Sequence, residues 1–182
     1  SYLTNYLDQD GLIHNMNFQR VTIRLNTNVQ VTKKLSISAD MSARIGDRTE
    51  PQDIGGSGSA WSQFGQAAVM NPLIVDQYSD GTWSVGRGDG NPIRLQQEGG
   101  IYDYKDNLIT GNFRGDYEIV RGLTLSGIVS ANYETAFNSI HNIAMTYYDF
   151  FNDHSVIATK GQNDIKKESD NYWFKNYQGL LT

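Results

Sequence analysis

The sequence predicts an all-β fold, an antiparallel segment of about four to five long strands from a large transmembrane β-barrel with long extracellular loops. Two observations predict it. Apolar and polar side chains alternate over several stretches of about ten or more residues, which is typical of strands whose two faces meet different surroundings. Short turns and very long polar connections follow each other along the chain, as in outer-membrane barrels.

The first predicted hairpin covers residues 18–46. Apolar side chains, with Thr27 among them, hold the odd positions of 21–31 and of 35–45, polar side chains lie between them, and residues 32–34 form a tight polar turn. Two long strands joined by about three residues form an antiparallel hairpin. We expect the apolar members of this hairpin to face lipid: Val21, Ile23, Leu25, Val29, Leu35, Ile37 and Met41.

The second predicted hairpin covers residues 106–135. The odd positions of 109–119 and of 123–133 carry most of the apolar side chains, and residues 120–122 form the turn. Residues 171–182 have the composition of the start of one further strand. Each apolar face therefore has the same parity as in the first hairpin, as expected for neighbouring strands of one sheet.

The predicted connections between these strands are residues 47–105 and 136–170. Loops longer than about 12–15 residues are uncommon in compact domains and usually carry function. Because both lie at the end of the sheet opposite the short turns, we expect them to be extracellular. Within the first loop, residues 59–70 are predicted to form a helix that Ser59 caps and that Asn71–Pro72 ends.

Composition excludes several classes of protein. The formal net charge is −5, so no basic field predicts nucleic-acid binding. Cysteine is absent, which excludes disulfides and thiolate metal sites. No apolar run reaches the roughly 18 residues of a transmembrane helix, although a membrane strand needs only about 9–11. Residues 1–10 lack the pattern of a signal peptide, so we expect a trimmed or internal segment.

No catalytic, metal or cofactor site is predicted. The three histidines, His14, His141 and His154, have no partner at metal-ligand or triad spacing. The Asp-Gly pairs at 80–81 and 89–90 are turn residues, and the glycine-rich residues 55–58 lack the Lys-Ser/Thr of a phosphate loop. We therefore expect a protein that is not an enzyme.

A soluble β-sandwich, such as a carbohydrate-binding module, is the alternative, because alternation reports two faces and not which of them is outside. A structural barrel without a transport role is a weaker alternative. Four and a half strands cannot close a membrane barrel, so we expect a piece of a larger barrel with open edges at 18–31 and 172–182.

Several segments resemble one family. Residues 20–40 (RVTIRLNTNVQVTKKLSISAD), the loop text at 71–72 (NP) and 78–83 (YSDGTW), residues 111–127 (GNFRGDYEIVRGLTLSG) and residues 172–180 (YWFKNYQGL) occur in this order. Together they are similar to the early barrel region of SusC/RagA-type, TonB-linked outer-membrane proteins. The likeness covers most of the chain.

This resemblance implies a barrel of about 22 strands in the outer membrane of a Gram-negative, Bacteroidota-type cell. It also implies an N-terminal plug reached by TonB and a SusD-like surface lipoprotein as partner. The implied activity is import of oligosaccharides or peptides. The plug has no counterpart within residues 1–182, so no residue here is assigned to energy coupling.

Two sets of residues are candidates for contact with a ligand. Aromatic side chains of the first long connection could stack on a sugar, although anchoring the loop is the more common use of such rings; they are Trp61, Tyr78, Trp83 and Tyr102. Charged side chains on the polar parity are predicted to face a hydrated lumen, against the plug or a passing substrate; they are Arg24, Asp40, Arg44, Arg114 and Asp116.

Overall fold

The computed structural model describes residues 1–52, 60–85, 90–151 and 155–182, with the side chains of its first helix described from Phe64 onward. The described elements are the strands β1 (Tyr2–Asp10), β2 (Asn17–Thr32), β3 (Leu35–Pro51), β4 (Ile101–Val120), β5 (Leu123–Asn142), β6 (Met145–Tyr148), β7 (Val156–Lys160) and β8 (Asp164–Leu181), and the helices α1 (Ala60–Val69) and α2 (Pro92–Glu98).

Six of the strands form one antiparallel sheet in the order β1-β2-β3-β4-β5-β8, and β6 and β7 form a separate hairpin. The sheet is open, with β1 and β8 at its edges. The predicted fold class, an antiparallel all-β segment, is confirmed.

The two-residue turns lie at one end of this sheet, and the long connections lie at the other end together with residues 11–16, which join β1 to β2. Two-residue turns join β2 to β3 and β4 to β5, whereas the connections from β3 to β4 and from β5 to β8 leave the other end. In the second short turn Gly122 has a φ of 87°, a left-handed conformation that glycine adopts without steric cost. We call the end that bears the long connections the loop end.

One face of the sheet carries a continuous group of apolar side chains that nothing described covers. In β2, for example, Ile23, Leu25 and Val29 are 48%, 45% and 48% exposed. Pairing places them in rows with side chains of the same parity in the next strands: Ile23 is beside Ala43, and Ala43 is beside Ile109. We call this group the apolar band.

The height of the apolar band matches a bilayer. On β3 the band runs from Leu35 to Ile45, and the ten steps between these two residues rise about 33 Å at 3.3 Å per step. With the usual tilt of about 35–45°, this length spans about 25 Å along the membrane normal, the height of the lipid-facing band of outer-membrane barrels. On β5 and β8 the band ends at Tyr133 and Trp173, whose ring centroids are 4.1 Å apart.

The edge strand β8 follows this pattern less closely than the others. Lys175 has the parity of the apolar band and pairs with Ala131 near mid-height. Its ammonium group lies 5.5 Å from the centroid of the Trp173 ring, toward the loop end. A long lysine stem can thus lie along apolar surface while its charge is displaced toward the band's border.

The open face argues against a soluble β-sandwich. A sandwich buries its apolar faces between two packed sheets about 10 Å apart. Among the described residues, the only other sheet is the short hairpin of β6 and β7, which belongs to the loop end. The apolar band therefore has no second layer in the part of the chain that the structure describes.

The strands extend further toward the loop end than the sequence predicted. Residues 47–51 belong to β3, 101–105 to β4, 136–142 to β5 and 164–170 to β8, and none of them to loops. Above the apolar band each face carries both apolar and polar side chains, such as Phe137 and Ser139 on one parity of β5, so the alternation that marks a strand in the sequence disappears. Backbone pairing continues there regardless, helped by cross-strand pairs such as Lys105 and Asp47, 3.1 Å apart.

The predicted edge at residues 18–31 is wrong for residues 18–25, whereas residues 27–31 pair only with β3 in the described part of the chain. β1 pairs with β2 from Tyr2 opposite Leu25 to Asp10 opposite Asn17, so β1 is the edge. Its sequence, YLTNYLDQD, mixes apolar and polar side chains on both parities. Backbone hydrogen bonds pair β1 with β2 whatever the side chains of β1 are, so its sequence shows no alternation of apolar and polar residues.

The predicted helix in the first long connection is confirmed, with α1 at Ala60–Val69. Ser59, its predicted cap, lies outside the described residues. A second helix, α2, was not predicted. In the part of the chain that the structure describes, no helix is long and apolar enough to cross a bilayer.

Candidate functional site

All five predicted lumen-facing residues lie on the face opposite the apolar band. Pairing aligns Asp40 with Asn112, Arg114 with Ser38, and Asp116 with Ser36. Arg44 forms an ion pair with Asp106 at 2.8 Å, and Arg114 forms one with Asp116 at 2.8 Å. These five residues are Arg24, Asp40, Arg44, Arg114 and Asp116. We call the face of the sheet on which they and their neighbours lie the polar face.

Two further arginines lie on the polar face that the sequence did not single out. Arg20 pairs with Gly46, and Phe18 pairs with Arg48, in the part of the hairpin nearest the loop end. Both have the same parity as Arg24 and Arg44. Continuing the alternation past the apolar band would have found them, because side-chain parity persists for as long as the strand does.

The loop end has a small apolar core of its own. Leu95 of α2 packs with Met145 and Tyr147 of β6, and Trp83 and Val85 lie against them. Tyr147 is 1% exposed. We call this core and the segments 76–85, 91–100 and 143–148 that surround it the loop cluster.

Asn91 organises the loop cluster through its amide. It is fully buried, and its Oδ1 accepts hydrogen bonds from the backbone N–H groups of Ile93 and Arg94 at 3.0 and 3.2 Å, which caps α2. Its Nδ2 donates to the carbonyl oxygens of Asp76 and Ser84 at 2.7 and 3.2 Å. The one side chain therefore holds two loop segments together. The Asn-Pro pair at 91–92 is the sequence pattern that could have indicated this helix cap.

Gln52 joins the two long connections where they leave the sheet. Its Oε1 accepts from the N–H groups of Gly100 and Ile143, both at 2.8 Å. The first of these donors precedes β4 and the second follows β5. Since Gln52 is 5% exposed, loss of its amide would leave buried backbone groups unpaired.

Glu98 anchors one side of the loop cluster. Partial burial alone would raise the pKa of its carboxyl, but hydrogen bonds from Arg94 and Trp83, each at 2.8 Å, hold the pKa below its usual range. A lowered folded-state pKa gives stability that is present above the unfolded pKa and lost as pH falls through the folded value. Acid should therefore loosen this contact.

A cleft of about 260 Å³ lies beside these contacts. Trp83 and Tyr148 give it aromatic walls, while Asp80, Arg94 and Thr146 give it polar ones. Arg94 is held in place by its contact to Glu98, by a 2.7 Å hydrogen bond to the carbonyl oxygen of Thr146, and by the ring of Tyr147, 4.9 Å away. A fixed cation beside aromatic rings suits a ligand with both ring faces and hydroxyl groups.

The predicted aromatic candidates occupy different places. Trp83 lines the cleft and also packs on the loop core. Tyr78 stacks on Phe150 with ring centroids 4.5 Å apart, which anchors two loops to each other. Tyr102 lies in β4 opposite Glu50. The backbone of Trp61 belongs to α1, but its side chain lies outside the described residues.

The two histidines that the structure describes lie in different parts of the fold. His14 lies between β1 and β2, His141 lies in β5, and His154 lies outside the described residues. Within residues 1–52, 60–85, 90–151 and 155–182, no three His, Cys, Asp or Glu side chains are placed to hold one metal ion.

Comparison with known proteins gives one informative relative. No family model matches the chain. The TonB-dependent receptor P3 of Formosa agariphila is 31% identical over 138 residues, which cover 70% of this chain and 14% of that receptor. The match supports a relation between this chain and the TonB-dependent receptor family. The chain thus spans about one seventh of the length of this relative. The relative is named as a receptor, in agreement with the prediction of a protein that is not an enzyme.

Proposed function

We propose that this chain is part of the barrel wall of a TonB-dependent outer-membrane importer of the SusC/RagA type, in a Gram-negative cell of the Bacteroidota type. The observation that carries the proposal is the apolar band, open on one sheet face and about 25 Å high. The likeness to a TonB-dependent receptor supports the same conclusion. In this arrangement the apolar band faces lipid and the polar face lines the lumen.

The loop end is proposed to be extracellular. A single cysteine in place of Ser79 should react with a membrane-impermeant maleimide on intact cells, because Ser79 is exposed. Residues 1–182 contain no cysteine that would compete for the label. A cysteine in place of Lys33, in a short turn at the other end, should react only after the outer membrane is opened. Labelling in the reverse order would invert the proposed topology.

The proposed substrates are oligosaccharides or peptides, and the proposed partners are TonB, acting through a plug, and a SusD-like lipoprotein. The cleft beside Trp83 and Tyr148 supports a role in substrate contact, since flat rings stack on sugar faces. Apolar side chains on the loops support a protein partner there; Leu73 and Phe151 are 87% and 82% exposed. Such exposed apolar groups are typical of contact surfaces.

Transport can be tested in cells that lack the gene for the whole receptor. We expect these cells to lose uptake of a fluorescent oligosaccharide pool or peptide pool, and uptake to return with the gene only when TonB is present. The variant Tyr148→Ala should restore uptake at a rate roughly threefold to tenfold lower, as expected for loss of one ring contact of about 0.5–1.5 kcal/mol. Tyr117→Ala is the matched control, because Tyr117 is similarly exposed but lies on the apolar band at the end of the sheet away from the cleft. Full uptake without TonB would contradict the importer proposal.

A further inference from the structure

Four arginines form a ladder on the polar face. They alternate between β2 and β3 in the order Arg24, Arg44, Arg20, Arg48, each diagonal to the next, as the pairing of Arg24 with Ser42 and of Arg20 with Gly46 requires. Arg48 is opposite Phe18, so the ladder extends over six steps of β2 from Arg24, about 20 Å at 3.3 Å per step. It therefore runs from the level of the apolar band to the loop end.

The ladder has more positive than negative charge. Arg44 pairs with Asp106, 2.8 Å away, and Arg48 approaches Glu50 at 3.4 Å. Among the residues that the structure describes, Arg20 and Arg24 form no ion pair. Asp40, the next acid along the face, is opposite Asn26 and lies beyond ion-pair distance of Arg24.

The guanidinium groups are held in place and keep unused donors. The Cζ atom of Arg20 lies 6.0 Å from the ring centroid of Phe18, and that of Arg48 lies 5.2 Å from the ring centroid of Tyr104. Within the described part of the chain, the buried Nε atoms of Arg20 and Arg44 have no hydrogen-bond acceptor, whereas the Nε of Arg48 is the atom that approaches Glu50. Gly46 has no side chain, which leaves room for the carboxylate of Asp106 from the neighbouring strand. A Cβ at position 46 would overlap that carboxylate.

Such a row suits an anionic ligand. A guanidinium presents several N–H donors in a planar fork that matches carboxylate and sulfate oxygens. In a channel with low-dielectric walls, uncompensated charges of one sign concentrate ions of the other sign. The rings of the cleft at the same end of the sheet favour a sugar over a peptide as the carrier of these anionic groups.

We propose that the arginine ladder binds the carboxylate or sulfate groups of an acidic oligosaccharide on its way through the barrel. This inference rests on the proposed importer function and names the chemical class of its substrate. Acidic side chains of a plug are the competing occupant of the same surface, and the experiment below separates the two.

The test uses the full-length receptor, purified with its plug, and two probes: a uronic-acid tetrasaccharide and the same tetrasaccharide with its carboxyl groups reduced to alcohols. The acidic probe should bind at least about tenfold more tightly, and its advantage should shrink as salt is added, because salt screens exposed charges. Exchanging Arg20 and Arg24 for glutamine should weaken the acidic probe roughly tenfold to a hundredfold, as for one or two charge-assisted hydrogen bonds. Binding of the neutral probe should stay the same.

The matched control removes the same two positive charges at the other end of the sheet, through Lys33→Gln and Arg121→Gln, and should leave both probes unaffected. Equal binding of the two probes by the unaltered receptor would overturn the proposal. So would equal weakening of both probes in the Arg20→Gln, Arg24→Gln variant, which is the result expected if the ladder holds the plug. Tighter binding of an acidic tetrapeptide than of the acidic tetrasaccharide would overturn the sugar assignment. Binding is measured without transport, so the two proposals can fail separately. A receptor that does not prefer the acidic probe leaves the importer proposal standing. Loss of TonB-dependence in the uptake experiment leaves the binding result standing.

Discussion

An arginine in place of Met41 is expected to lower the free energy of unfolding of the membrane-embedded receptor by about 2–4 kcal/mol. Met41 lies near mid-height of the apolar band and is 43% exposed. If this face meets lipid, the new charge has neither water nor a counterion there. Denaturant titration of the receptor folded into lipid vesicles measures the loss directly.

The control for this experiment lies at the same height on the polar face. Asn112 pairs with Asp40, one residue along from the pairing of Met41 with Gly111, so Asn112→Arg brings the same charge into the proposed lumen beside a carboxylate. We expect its unfolding free energy to change by less than about 1 kcal/mol, as for an exposed ion pair. Equal losses in the two variants would show that neither face meets lipid.

Replacing Asn91 by alanine is expected to destabilise the loop cluster by about 2–4 kcal/mol. The change removes the cap of α2, which costs about 0.5–2 kcal/mol, and leaves the carbonyl oxygens of Asp76 and Ser84 without their donor in a buried place. Amide hydrogen exchange of the full-length receptor should accelerate roughly thirtyfold to a thousandfold at Ile93 and Arg94. Exchange in the six-stranded sheet should not change.

Asn71→Ala provides the matched control. The Oδ1 of Asn71 also accepts from a backbone N–H group, that of Leu73 at 3.0 Å, but Asn71 is exposed and water can replace it. Exchange near Asn71 should change by no more than about threefold, because water satisfies the freed N–H group. If the two variants behaved alike, the buried network around Asn91 would not be what orders the loop cluster.

Strand parity was predictable because one physical requirement acts on every residue of the apolar band. Val21, Ile23 and Ile45 had to share a face, and a period of two is the only pattern that achieves this in a strand. The same parity predicts that Arg24 and Arg44 lie on the polar face, where the sheet places them. The position of the short turns followed from the polar residues that interrupt the pattern.

Strand ends and the first strand were not predictable in this way. In residues 101–105 and 136–142 apolar and polar side chains occur on both faces, so no side-chain period remains, and in β1 the apolar residues Leu3 and Tyr6 have opposite parity. These segments are strands because each has a neighbour to pair with. Hydrogen bonding to a neighbouring strand is a property of the assembled sheet and is only weakly encoded in any one segment.

The candidate site was also predictable from the sequence only in part. Local chemistry identified Trp83 as a candidate aromatic and Arg44 as a candidate lumen charge. The cleft, by contrast, needs Trp83 and Arg94 to meet Thr146 and Tyr148, which are more than fifty residues later in the chain. No local pattern specifies that meeting.

The sequence by itself determined that the chain forms long antiparallel strands with one apolar and one polar face, because that choice is made residue by residue through alternation. Only the tertiary structure decided which strand lies at the edge, how Asn91 and Gln52 join separate loops, and how arginines of two strands become one ladder. The physical reason is that register, loop packing and diagonal neighbours depend on contacts between segments far apart in the chain. Such contacts leave no period in either segment alone.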